Sequence, residues 1–295
     1  MQHADMTKKI PQAIAAATLP LCLLAAGTES RCQTHPHPDE STYFSLAAMA
    51  DSLVAEADWQ AAADTIRATL RAFPANPSNS MLFANLGVCL LNMEQYEDAI
   101  ESLDIDLVKA PDSPVVLTNR ARASIALGRE EEAMQNLQKA IAGDTTYADA
   151  RRLRAFLCLN SGRAEEAYAD FKSMLPATDN KESDPYMLAG AARAAAMIGR
   201  KEEASALYTK ALDSSPDADT AVEAVAHFLA TEPDETTQQL IIQQIKHHSQ
   251  EGRLYLMMAA LCKKRYLVTE MEANKKIARQ YGIDSQTIEN FLKNF

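Results

Sequence analysis

Residues 80–113, SMLFANLGVCLLNMEQYEDAIESLDIDLVKAPDS, decide how the chain is read. Apolar residues recur at helical spacing in two runs of about a dozen residues each. Met93, Glu94 and Gln95 interrupt the runs, and Pro111, which cannot continue a helix, closes the stretch. The pattern predicts two amphipathic helices joined by a tight turn. Working outward, small residues form a ladder at Ala50, Gly87, Ala121, Ala155, Ala192, Ala226 and Ala260, in steps of 37, 34, 34, 37, 34 and 34. A second ladder runs Ala62, Ala99, Ala133, Ala167 and Ala204, in steps of 37, 34, 34 and 37. Both gain three residues in the same intervals, so the insertions fall between units, around Pro77 to Asn79 and Glu182 to Asp184. The second ladder lapses at Gln238 and slips to Ala273, and Pro233 stands where other units have Gly128, Gly162 or Gly199.

A period of 34 residues over two helices is similar to that of the tetratricopeptide repeat family. The residues that carry the resemblance are Phe83, Leu86, Gly87 and Leu90 on the first helix, then Tyr96, Ala99, Leu103 and Pro111 on and after the second. The family places small residues where its helices touch, at interaxial distances of roughly 8–10 Å. The resemblance implies an all-α, right-handed α-solenoid. Five repeats are expected, at 43–76, 80–113, 114–147, 148–181 and 185–218. Two degenerate repeats and a C-terminal capping helix follow over 219–295.

Ahead of the repeats, residues 1–27 read as a signal peptide. Lys8 and Lys9 precede an apolar run, and Ala25, Ala26 and Gly27 offer a small-residue cleavage site. The run is short for a membrane span and carries Pro11 and Pro20. Export to the periplasm or cell envelope is expected, ahead of secretion or a retained anchor. Residues 28–42 read as a disordered leader; His35 and His37 there are better explained as part of a solvated linker than as metal ligands. No N-glycosylation sequon is present once Asn76-Pro77-Ser78 is set aside, in keeping with a bacterial envelope. Cys89 and Cys158, two repeats apart, are too distant for a disulfide and are expected to be buried thiols.

Catalytic motifs are missing: there is no phosphate-binding glycine loop, HExxH, CxxC or GxSxG. The acid pairs Glu131-Glu132, Glu165-Glu166 and Glu202-Glu203 recur where second helices begin, and negative charge suits that end of a helix dipole. No enzyme, cofactor or metal is expected. A net charge of −11 argues against nucleic acid as the partner.

In the related arrays the first helices line a concave groove. Here first helices 114–127, 148–161 and 185–198 carry +2, +2 and +1, while second helices 130–142, 164–175 and 201–213 carry −2, −2 and −1. Arg120 and Arg154 match a common packing variant of the family. Arg122, Arg152 and Arg193 fall on the turn expected to face the groove, joined by Asn85, Asn119 and Asn160, with Phe156, Tyr186 and His227 adding surface. The resemblance implies that Asn85 and Asn119 hold a ligand's backbone. The family's clamp for C-terminal carboxylates is matched only in part, because its lysines are absent. The expected function is a non-catalytic scaffold binding a protein or peptide, with an acidic or carboxylate-ended segment as the suited ligand. The alternative is an accessory or regulatory subunit of an envelope enzyme or transport assembly, binding through the convex face or the C-terminal repeats.

Overall fold

The structure, a computed structural model, describes residues 38–175, 183–214, 217–232 and 234–295. Among these residues it contains helices and no strands. In chain order they are α1 (Pro38–Ala55), α2 (Trp59–Ala72), α3 (Asn79–Asn92), α4 (Tyr96–Leu107) and α5 (Pro114–Ala126). Next come α6 (Glu130–Gly143), α7 (Ala148–Asn160), α8 (Ala164–Met174), α9 (Pro185–Met197) and α10 (Lys201–Asp213). The last are α11 (Ala218–Thr231), α12 (Asp234–His247), α13 (Gly252–Lys264), α14 (Val268–Gln280) and α15 (Ser285–Leu292). The expected signal peptide, most of the expected leader with His35 and His37, Glu182 and Pro233 lie outside the described residues. The leader was expected to run to residue 42, but the chain is helical from Pro38. A proline in the first helical turn loses nothing by lacking an N–H, so it starts a helix readily.

The chain divides into two compact units, Met1–Leu157 and Cys158–Phe295. In the first unit the helices pair in sequence, α1 with α2, α3 with α4 and α5 with α6. The contact between α3 and α4 explains why position 87 is glycine. A Cβ built there would stand 2.6 Å from Leu103 Cγ and 3.3 Å from the Ala99 carbonyl oxygen. Leu103 is fully buried and cannot swing aside without opening the core. The core of this unit begins with Tyr43, which meets Phe73 edge-on at 5.6 Å, and continues through Ile66, Leu86 and Leu90.

The second unit pairs α9 with α10 and α13 with α14. At Gly190 on α9 a Cβ would strike the fully buried Phe171 ring of α8 at 2.5 Å. Its principal core joins Val225, Ile241, Leu254, Leu261 and Ile288, so α15 is fastened onto the last repeats. Cys89, Cys158 and Cys262 are buried. Burial pushes the Cys89 thiol up to about 11.

The turns inside the repeats set the register. Apart from the α11–α12 turn, part of which lies outside the described residues, each carries one residue in the left-handed region: Ala57, Glu94, Gly128, Gly162, Gly199 and Tyr266. The following residue donates its N–H five residues back, as Gln95 does to Leu90 and Leu267 to Cys262, a Schellman-type closure. The first five turns repeat the expected steps of 37, 34, 34 and 37. From Gly199 to Tyr266 the step is one residue short of two 34-residue periods. That one residue corrects the end of both ladders. Ala226 is exposed, whereas Val225 is fully buried in its place. Ala273 is exposed too, and the register puts half-buried Met271 where the second ladder should stand.

Candidate functional site

In the first unit, α5 and α7 bring together Asn119, Arg122, Tyr147, Asp149 and Arg152. Arg122 lies one helical turn after Asn119, and its Nη1 donates to Asn119 Oδ1 at 3.3 Å. Arg152 lies one turn after Asp149 and donates from Nη2 to Asp149 Oδ1 at 2.8 Å. The local electrostatics are uneven. Burial pushes the Arg122 guanidinium down from its usual range, against the attraction of Asp149 and Tyr147, and Arg152 repels it. Burial, with Asp149 adding to it, raises the neighbouring Tyr147 phenol. Arg122 Nε is buried and has no hydrogen-bond partner. One carboxylate thus faces two guanidinium groups, and one buried donor is unused. Chemically this is an incomplete anion site.

Arg120, on the same helix as Arg122, is better compensated. Arg120 pairs with Asp104 at 2.6 Å and Glu132 at 2.5 Å, which fits the packing role expected for it. Asn85 is buried, and its Nδ2 donates to Asp51 Oδ1 at 2.8 Å, tying α3 to α1. Asn119 is buried as well. Phe156 is half-buried.

In the second unit Asn160 is exposed at the end of α7. Tyr186 is exposed beside Asp217, whose charge raises the phenol and whose carboxylate takes its hydrogen bond. Arg193 meets Glu223 at 3.6 Å. Burial raises the Glu223 carboxyl despite that partner. Arg253, a residue the sequence reading passed over, is held by Glu251 and Asp219, both at 2.7 Å. Carboxylates therefore answer Arg193 and Arg253, and the surplus of positive charge expected at Arg193 is absent there.

His227 was expected to extend the strip, but it is turned toward α10. Its Nε2 is 3.0 Å from Ser205 Oγ, and its ring lies 5.3 Å from that of Tyr208. Ser205 Oγ in turn donates to Glu232 Oε1 at 2.9 Å. A serine, a histidine and a glutamate thus meet, but in the wrong order for a nucleophile. In a hydrolytic triad the acid orients the imidazole, whereas here it accepts from the serine itself. Among the described residues no three His, Cys, Asp or Glu side chains are grouped to hold a metal ion. No helix among them is long and apolar enough to cross a membrane.

A cluster invisible in the sequence joins α8 to the start of α10. The Tyr168 hydroxyl donates to Glu203, Lys172 Nζ reaches the same hydroxyl at 2.8 Å and Glu203 at 2.9 Å, and Arg200 stacks over the Tyr168 ring at 4.7 Å. Lys172 and Arg200 share the Glu203 carboxylate and both meet Tyr168, so the cluster fastens adjacent repeats. The tyrosine and glutamate are 35 residues apart, which was the one available sign.

The pattern of the tetratricopeptide repeat family matches residues 47–114 and 115–142. DnaJ homolog subfamily C member 3 of Mus musculus is 28% identical over 134 residues, which is 45% of this chain and 25% of that protein. The chain therefore spans about a quarter of that relative's length. The crystal structure of a tetratricopeptide repeat protein from Parabacteroides merdae superposes with a TM-score of 0.60 at 20% identity, covering 86% of this chain and 98% of that one. The C-terminal part of a TPR repeat-containing protein from Cytophaga hutchinsonii gives a TM-score of 0.66 at 15% identity, covering 82% and 98%. The fold is that of a tetratricopeptide solenoid.

Proposed function

We infer, from tetratricopeptide repeats over residues 47–142 and a solenoid fold of the same kind, that the chain is a non-catalytic scaffold for other proteins. Its ligand on this reading is an extended segment with an acidic side chain or a free carboxylate, bound at Asn119, Arg122 and Arg152. The observation that carries the reading is Arg122, a guanidinium in a desolvated setting with Nε unused and no carboxylate of its own. Leaving such a donor unpaired is costly, and a bidentate carboxylate is the group that suits a guanidinium fork. Each charged hydrogen bond gained in this way contributes about 1.5–3 kcal/mol.

The site of action in this reading is the cell envelope, on the strength of Lys8, Lys9 and the apolar run after them. An N-terminus near Gly27, read by mass spectrometry of the native protein, would support export. Intact recovery of residues 8–24 from cytosol would rule it out. The binding reading is tested by titrating acidic peptides with free C-terminal carboxylates against the wild type and the double variant Arg122→Gln, Arg152→Gln. Loss of binding with unchanged helical content is expected. Equal binding by the two proteins removes this cluster from the ligand site.

A further inference from the structure

We propose that the cleft between the α13–α14 turn and the end of α15 is a docking site for an acidic protein segment that inserts one aromatic or aliphatic side chain. It goes beyond the arginine cluster of the first unit and uses none of its residues.

The first observation is Tyr266. Its backbone is left-handed, with φ 57°, at the turn position where Gly128, Gly162 and Gly199 stand in other repeats. A residue with a Cβ is strained in that conformation, whereas glycine is not. The tyrosine is also 90% exposed, so folding recovers nothing by burying it. Strain of this kind at an exposed aromatic marks a candidate contact residue.

The second observation is what surrounds it. Val268 is 63% exposed and Phe295 39%, and with Leu267 and Met271 they form an apolar cleft of about 500 Å³. That volume accepts a large side chain. Lys263 and Lys264 stand at its wall. Lys263 Nζ donates to the Leu292 carbonyl at 2.6 Å, and Arg265 Nη1 to Gln238 Oε1 at 2.5 Å, both neutral acceptors. Only Lys264 meets a carboxylate here, Asp234 at 2.7 Å. In a chain of net charge −11, Lys263, Lys264 and Arg265 stand together beside an apolar hollow, against Asp234 and the nearby Glu270. Charge complementarity selects an acidic partner, and the hollow selects an anchor. A concave seat suits a side chain better than a bilayer, and the overall negative charge opposes an anionic membrane.

The test is fluorescence anisotropy of the full chain with a synthetic pool of acidic peptides carrying one randomised anchor position, alongside phosphatidylglycerol vesicles. Peptides with an aromatic or large aliphatic anchor should bind, and alanine at that position should weaken binding about tenfold, as truncating an interface anchor does. Tyr266→Gly should weaken it similarly while unfolding at the same or a higher temperature, which separates lost contact from lost fold. Arg265→Glu should also weaken it, and the Arg122→Gln, Arg152→Gln protein should bind as the wild type does. Unchanged binding by Tyr266→Gly overturns the proposal. So does peptide binding that disappears only in the Arg122→Gln, Arg152→Gln protein, or binding to vesicles and not to peptides.

Discussion

Glu94 shows what single residues contribute. Its φ of 60° places it in the left-handed region, at the turn where three other repeats use glycine. The strain is about 1–2 kcal/mol, and glycine's greater freedom in the unfolded chain returns roughly 0.5–1 kcal/mol of it. Glu94→Gly should therefore stabilise the protein by up to about 1 kcal/mol, seen as a higher urea midpoint at unchanged slope. His227 carries a pH dependence. Burial holds its pKa below the ordinary value of 6.5, while a hydrogen bond to the Lys201 backbone opposes the shift. The unfolded chain then binds the proton first as pH falls. Stability is complete above the unfolded value and declines as pH drops from it toward the folded one. Denaturant midpoints between neutral and acidic pH should fall less steeply in His227→Gln. An identical slope in that variant would assign the effect to other groups.

At the scale of elements, the pairing of α3 with α4 rests on one missing side chain. Gly87→Leu forces four carbons into the space filled by Leu103 and the Ala99 carbonyl, and should cost about 1–3 kcal/mol. Circular dichroism should show the same helix content at low temperature and an earlier melt. Gly190 was absent from both ladders, yet it does the same service for the Phe171 ring. A glycine two residues from the ladder position Ala192 gives no sign in the sequence that a ring from the preceding helix presses on it. The acidic first turns of α6, α8 and α10 were legible, because charge at a helix start follows from the dipole alone.

At the scale of the whole molecule, each repeat is stabilised by its neighbours, so distant defects should add. Gly87 and Gly190 belong to different units and touch different partners. The double variant Gly87→Leu, Gly190→Ala should lose the sum of the two single losses to within about 0.5 kcal/mol. A larger loss would mean that the two sites are energetically coupled.

The sequence by itself determined the helical class, the repeat period through the turn at Gly199, and small residues such as Gly87 and Ala99 at which paired helices touch. These are local or periodic properties: helix pairs of one kind, stacked repeatedly, imprint the same spacing on the chain. It could not determine the register beyond Gly199, where a shortened step moves the buried position from Ala226 to Val225, because an alanine-rich helix offers several small residues at nearly equal spacing. Nor could it determine which arginines are compensated. Arg122 and Arg193 look alike in the sequence, but Glu223 stands opposite Arg193, while Arg122 is left with an amide and an unused donor. Charge pairing between helices depends on which side chains face one another across the stack. Only the tertiary structure decides that.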